Sequence, residues 1–223
     1  MDRTDLSVKA EIALLYDIYV PDAAGGPLPL LIAVHGYGAH KRYMMREAKI
    51  VADERFVIAS VEAPHPHYRQ TDDGYRIGYG WLCDKRPEQD IALHHKFILD
   101  VMAQLDRERL IDESKVFLYG FSQACALNLR FAFTHGEVLA GVIGVCGGIP
   151  GDLDTNENYR PCDAAMLYLY GDDDEFYSRE QFASYDERLR AILPRYGSKQ
   201  YHAGHALTDE MRSDIKAFLA AEG

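Results

Sequence analysis

Apolar residues in this chain come in short blocks, separated by longer stretches in which they recur every three or four positions. Residues 30–35, 56–61, 116–121, 139–145 and 164–170 are almost wholly apolar. Runs of this length predict strands buried on both faces, as in a parallel sheet. The intervening stretches 43–55, 87–109, 178–193 and 208–220, and the segment that runs from 121 to 133, carry helical spacing instead. Pro87 at a first helical position suits the start of the second of these. Residues 12–20 alternate and stop at Pro21, as an antiparallel edge strand does. A Gly/Pro-rich turn follows at 23–29, and a short final strand is expected at 199–202. The longest stretch without a period is 63–86, rich in Tyr, His, Gly and Pro; it reads as an irregular loop, and loops of that length are usually functional.

Strands alternating with helices of these lengths imply an α/β fold with a mostly parallel central sheet covered by helices on both faces. No repeat, low-complexity segment or linker divides the 223 residues, so residues 1–223 read as one domain. In such sheets the ligand site lies at the carboxyl ends of the strands. The residues expected there are His35-Gly36-Tyr37-Gly38, Ser122, the run Gly171-Asp172-Asp173-Asp174-Glu175, and Gly204-His205.

Among these, Gly120-Phe121-Ser122-Gln123-Ala124 stands where an apolar strand gives way to a helix. A serine at a sharp strand-to-helix turn is the nucleophile elbow of α/β-hydrolases, and the small residues two positions either side make room for the turn. A serine hydroxyl is a weak nucleophile until an imidazole takes its proton, and a carboxylate fixes the imidazole tautomer. The N–H of Gln123 at the helix start would face a developing oxyanion, and the glycines around Tyr37 let a backbone N–H turn toward it. Chain order runs oxyanion loop, Ser, Asp, His, the α/β-hydrolase order. Read without that context, Ser122 could simply cap the helix.

Across VHGYG at 34–38, APHPH from 63, Trp81 before an acidic helix, GFSQ at 120–123, GGIPG at 147–151, GDDD at 171–174 and GHALTDEMRSDIKAFL at 204–219, the chain resembles the carboxylesterase/phospholipase family of α/β-hydrolases that includes the acyl-protein thioesterases. The resemblance spans nearly the whole chain. It implies an α/β-hydrolase fold without a cap domain, hydrolysis of carboxylic esters or thioesters, and no cofactor. By that match Ser122 is the nucleophile, Asp174 the acid and His205 the base, with Tyr37 and Gln123 N–H groups as the oxyanion hole. Trp81 and Ile149 fall where the family lines its acyl pocket. The loop leaving Gly171 also needs about three residues to curl back over the sheet edge, which selects Asp174 among its acidic neighbours. Departures from the family pattern are Ala124-Cys125 after GFSQ, Ala39-His40 in the oxyanion loop, Glu175 after the acid, and the aromatic 68–81 stretch with Arg69, Arg76, Asp72 and Asp73. They bear on the substrate and remove no catalytic group.

Composition narrows the partners. The net charge of −11 argues against nucleic acid and anionic membrane surfaces and favours a small-molecule partner, which the resemblance implies is an ester. No apolar run is long enough to insert stably in a bilayer, and the N-terminus lacks the apolar core of a signal peptide. Cys83, Cys125, Cys146 and Cys162 show no paired spacing, which suits reduced thiols and a cytoplasmic location. Cys125, inside the helix after the elbow, reads as packing and not as a nucleophile. His65-Pro66-His67 lacks a third placed ligand, and His94 and His95 point in different directions on a helix, so no metal site is expected. The acidic run 172–175 lacks the spacing of a calcium loop. A homodimer is neither indicated nor excluded. The function expected is cleavage of short to medium acyl esters through a Ser-Asp-His triad and an acyl-enzyme. Two other readings remain open at this point: a non-catalytic ligand-binding protein on the same fold, and a peptidase-type acyl hydrolase on the same triad.

Overall fold

In the computed structural model, residues 2–22 and 25–223 are described; residues 23 and 24 of the expected 23–29 turn lie outside them. The elements in chain order are β1 (Tyr16–Tyr19), β2 (Leu28–Val34), α1 (Lys41–Ala52), β3 (Val57–Val61), β4 (His65–Thr71), β5 (Gly74–Gly80), α2 (Pro87–Arg107), β6 (Ile111–Phe121), α3 (Gln123–His135), β7 (Gly141–Val145), β8 (Ala165–Gly171), α4 (Arg179–Ile192), β9 (Tyr196–Tyr201) and α5 (Asp209–Glu222). The main sheet has seven strands in the order β1-β3-β2-β6-β7-β8-β9. β1 pairs antiparallel with β3, and every other pairing in this sheet is parallel. The edge strand expected at 12–20 is therefore present, shortened to its C-terminal half.

The unbroken apolar runs have a simple cause, since side chains of successive strand residues point to opposite faces. Leu30, Ile32 and Val34 pack in one core with Phe97 of α2, Leu127 of α3 and Phe182 of α4. Leu31 and Ala33 pack in a second core with Met44 of α1 and Ile215 of α5. With both faces covered, no position in these strands can be polar without cost. Arg212 of α5 reaches Glu47 of α1, its Nε 2.8 Å from the carboxylate, and neutralises a glutamate that is otherwise buried.

The expectation of an irregular stretch at 63–86 needs correction. Residues 65–80 form an antiparallel hairpin, β4 with β5, whose register runs from His65↔Gly80 to Thr71↔Gly74. Asp72-Asp73 make the turn, and Gly74 follows at φ 118°, a backbone conformation side chains rarely adopt. The Asp73-Gly74 pair is a short-range hairpin signal. The strands on either side are rich in Arg, Tyr, Gly and His and lack an apolar face, so no period in the sequence marks them. The hairpin lies outside the main sheet and joins it through the loop after β2. Gly38 N–H donates to Tyr79 O at 2.8 Å, and Tyr79 N–H donates to Ala39 O at 3.1 Å.

Candidate active site

Ser122 stands between β6 and α3 at φ 57°, ψ −120°, strained for any residue with a side chain. Tight neighbours hold it there. Its N–H donates to Val145 O at 2.9 Å, and its own carbonyl accepts from Cys125 N–H at 3.0 Å. A Cβ on Gly147 would lie 2.2 Å from Ser122 O, and one on Gly120 would lie 2.7 Å from Asn128 Nδ2. Ala124 is fully buried, so its extra methyl is absorbed in the packing. The Ser122 side chain makes no helix-capping bond. It points instead to His205.

His205 lies in the loop between β9 and α5, with Nε2 2.9 Å from Ser122 Oγ. Its Nδ1 lies 2.8 Å from Asp174 Oδ2 in the loop after β8. An ionised carboxylate only accepts, so Nδ1 carries the proton and Nε2 is left to accept from the serine hydroxyl. The Asp174 side chain is fully buried, and its Oδ1 accepts the N–H groups of Phe176 at 2.9 Å and Tyr177 at 3.1 Å. Asp172 turns away to Arg179 and His202. Glu175 accepts the backbone N–H of His205 at 3.0 Å, so the residue standing in place of a proline supports the histidine loop.

Tyr37 and Gln123 flank the serine on the other side. Among the described residues neither backbone N–H has an intramolecular acceptor. Their loops are held by buried polar contacts. His35 bridges Gly36 O and Ala63 N–H through its two ring nitrogens, at 2.7 and 3.0 Å, and burial pushes it down to about 4, so it stays neutral. Trp81 Nε1–H donates to His35 O at 2.8 Å, and Trp81 N–H donates to Gln123 Oε1 at 3.0 Å. Arg69 Nη1 donates to Gly38 O at 2.7 Å, and Gly38, at φ 75°, leaves no room for a Cβ beside that guanidinium.

A cavity of about 950 Å³ opens over Ser122 and His205, walled by Ile149, Phe176 and, from the hairpin, Arg69 and Ile77. Trp81 does not line this cavity: it is buried behind the oxyanion loop and holds that loop in place. The part that Arg69 and Tyr79 play in bracing the same loop escaped the sequence reading, because their contacts depend on the hairpin register. Cys125 is buried, and burial pushes its thiol far up, which suits packing. His94 faces Trp81 edge-on at 5.2 Å, while His95 meets Phe131 and His135, and the two histidine rings lie edge to face at 5.9 Å. His67 stacks on Tyr37 at 4.6 Å. His65 instead lies with Cys83 and Asp90, three ligand atoms within 4.8 Å of one another. Among the described residues no helix is long and apolar enough to cross a membrane.

A sequence profile of the family described as Phospholipase/Carboxylesterase matches residues 20–222. The chain is 28% identical over 155 residues to the candidate esterase NocK of Nocardia uniformis subsp. tsuyamanensis, covering 66% of this chain and 40% of that protein. It thus spans well under half the length of that relative. The fold is similar to that of esterase PE8, with a TM-score of 0.75, 20% identity, and coverage of 95% of this chain and 100% of the other. It is also similar to Zea mays acyl-protein thioesterase 2, with a TM-score of 0.71, 15% identity, and coverage of 93% and 98%. At these identities the structural likeness speaks for the fold.

Proposed function

This chain belongs to the phospholipase/carboxylesterase family of hydrolases, and we propose that it is a single-domain serine esterase cleaving short to medium acyl esters through an acyl-enzyme. The observation that carries this reading is the unbroken line from Ser122 Oγ to His205 to Asp174, at 2.9 and 2.8 Å, beneath the cavity. His205 Nε2 takes the hydroxyl proton as Ser122 Oγ attacks the ester carbonyl. The tetrahedral oxyanion is received by the N–H groups of Tyr37 and Gln123. The proton passes from His205 to the departing alcohol, leaving an acyl-Ser122. A water, deprotonated by the same nitrogen, then releases the acid and restores the serine. Asp174 keeps the imidazole in the working tautomer and stabilises the imidazolium. Apart from the ester and water, every group in the cycle is the chain's own, and the reading calls for no cofactor.

The preference for shorter chains rests on the hairpin, which stands across the cavity with Ile77 and Arg69 as a wall. Thioesters fit the same chemistry. The substrate in this reading is a small molecule, neither nucleic acid nor a lipid still in its bilayer, and four free thiols suit the cytoplasm. The test is a p-nitrophenyl ester series from acetate to palmitate on wild type and Ser122→Ala. Butyrate is expected to give a higher kcat/KM than palmitate, and Ser122→Ala to lose roughly 10⁴-fold or more in kcat. Undiminished turnover by Ser122→Ala would overturn the mechanism, and faster palmitate cleavage would overturn the chain-length reading.

A further inference from the structure

We propose that His65, Cys83 and Asp90 form a binding site for a divalent zinc ion at the base of the hairpin. Three separate segments supply the ligands: His65 opens β4, Cys83 lies in the loop after β5, and Asp90 sits in the first turn of α2. His65 Nε2 is 2.9 Å from Asp90 Oδ1, and Asp90 Oδ2 accepts the Cys83 N–H at 2.8 Å. The thiol, the imidazole nitrogen and the carboxylate oxygen all fall within 4.8 Å of one another.

Two features separate this cluster from an ordinary surface contact. Asp90 is buried, yet among the described residues it has no lysine or arginine partner, and its sole ion-pair neighbour is His65. A buried carboxylate without a cation is costly, and a dication would compensate it. The donor set is also mixed, one nitrogen, one sulfur and one oxygen, which suits zinc far better than magnesium or calcium. Zinc–ligand lengths of about 2.0–2.3 Å place tetrahedral ligand atoms roughly 3.2–3.6 Å apart. The His65–Asp90 pair already lies near that spacing. Cys83 is exposed, so its side chain is free to rotate inward by the remaining ångström or so. The exposed side of the cluster leaves the fourth position to water.

Binding displaces protons in a defined way. Zinc would take Cys83 as the thiolate, its proton passing to solvent, and His65 through Nε2 with the ring proton on Nδ1. Affinity therefore rises with pH. The ion would fasten both ends of the hairpin to α2. It would stand apart from the Ser122–His205 line and take no part in hydrolysis.

The experiment is zinc titration of the metal-stripped protein against a chromophoric chelator, with Cys83→Ser, His65→Gln and His205→Ala alongside. One zinc per chain is expected. An outer-shell partner is worth about 10–100-fold in metal affinity, so loss of a ligand in Cys83→Ser or His65→Gln should cost at least about 100-fold. His205→Ala should bind as wild type does. Cobalt in place of zinc should give a thiolate-to-metal charge-transfer band that Cys83→Ser lacks. Zinc should raise the Tm of wild type and of His205→Ala, leaving Cys83→Ser unmoved, while Cys83→Ser hydrolyses esters at the wild-type rate. Equal zinc affinity in wild type and Cys83→Ser, or loss of binding in His205→Ala alone, would overturn the assignment.

Discussion

Ser122 is held at a positive φ by its neighbours' backbones, and the same crowding aims its hydroxyl at His205. Three adjacent aspartates compete for the partner role on that histidine. The geometry distinguishes them by surroundings: the Asp174 side chain is buried and takes two backbone N–H groups besides the imidazole, whereas the Asp172 side chain is partly exposed and pairs with Arg179 and His202. If Asp174 is the triad acid, its amide analogue leaves the wrong tautomer on His205. Asp174→Asn should then lower kcat by roughly 10⁴-fold, while Asp172→Asn and Asp173→Asn stay within a few-fold. Steady-state assays of the three variants on one ester decide it. Retained activity in Asp174→Asn beside an inactive Asp172→Asn or Asp173→Asn would move the acid elsewhere.

At the scale of elements, the β4–β5 hairpin does two things. It walls the cavity, and it grips the oxyanion loop through Tyr79 and Arg69. Arg69 is a positioning residue in this reading, acting through Gly38 on the N–H of Tyr37. Removing an oxyanion donor outright costs about 10²–10³ in kcat. Loosening the loop should cost less, on the order of tenfold for Arg69→Met. The loss should fall on kcat more than on KM, and Arg69→Lys should recover part of it by reaching the same carbonyl. A kcat for Arg69→Met equal to that of wild type, in a variant with unchanged Tm, would show that the loop holds itself.

Across the whole molecule, two buried histidines and the half-buried His95 set the response to acid. Burial pushes His35 down to about 4, His94 to about 3 and His95 to about 4, from an ordinary value of 6.5. The unfolded chain binds these protons first as pH falls, so stability is lost from about pH 6.5 downward and continues to drain until the folded-state values are reached. Each group contributes at most about 1.4 kcal/mol per pH unit in that window. Urea unfolding should show a loss of at least about 2 kcal/mol between pH 7 and pH 5. His94→Phe should flatten the curve, because a buried ring with no titration has no proton to exclude. A wild-type stability that does not change over that interval would rule the account out.

The order of strands and helices, the α/β class and the places of Ser122, Asp174 and His205 were legible in the sequence. The class and Ser122 depend on short-range rules: two-sided burial forces unbroken apolar runs, and an elbow needs small residues beside its serine. The roles of Asp174 and His205 came from the family resemblance. The hairpin at 65–80 was not legible, because its strands bury little and are built from residues that ordinarily read as loop, with Asp73-Gly74 as the lone hint. Trp81 was placed in the pocket by resemblance, but the fold sets it behind the oxyanion loop, where its N–H groups hold His35 and Gln123. The meeting of His65 with Cys83 and Asp90 likewise followed from no spacing in the chain. Periodicity reports which face of an element is buried. Which distant side chains then face one another depends on strand register and helix packing, and those are decided only when the whole chain closes on its core.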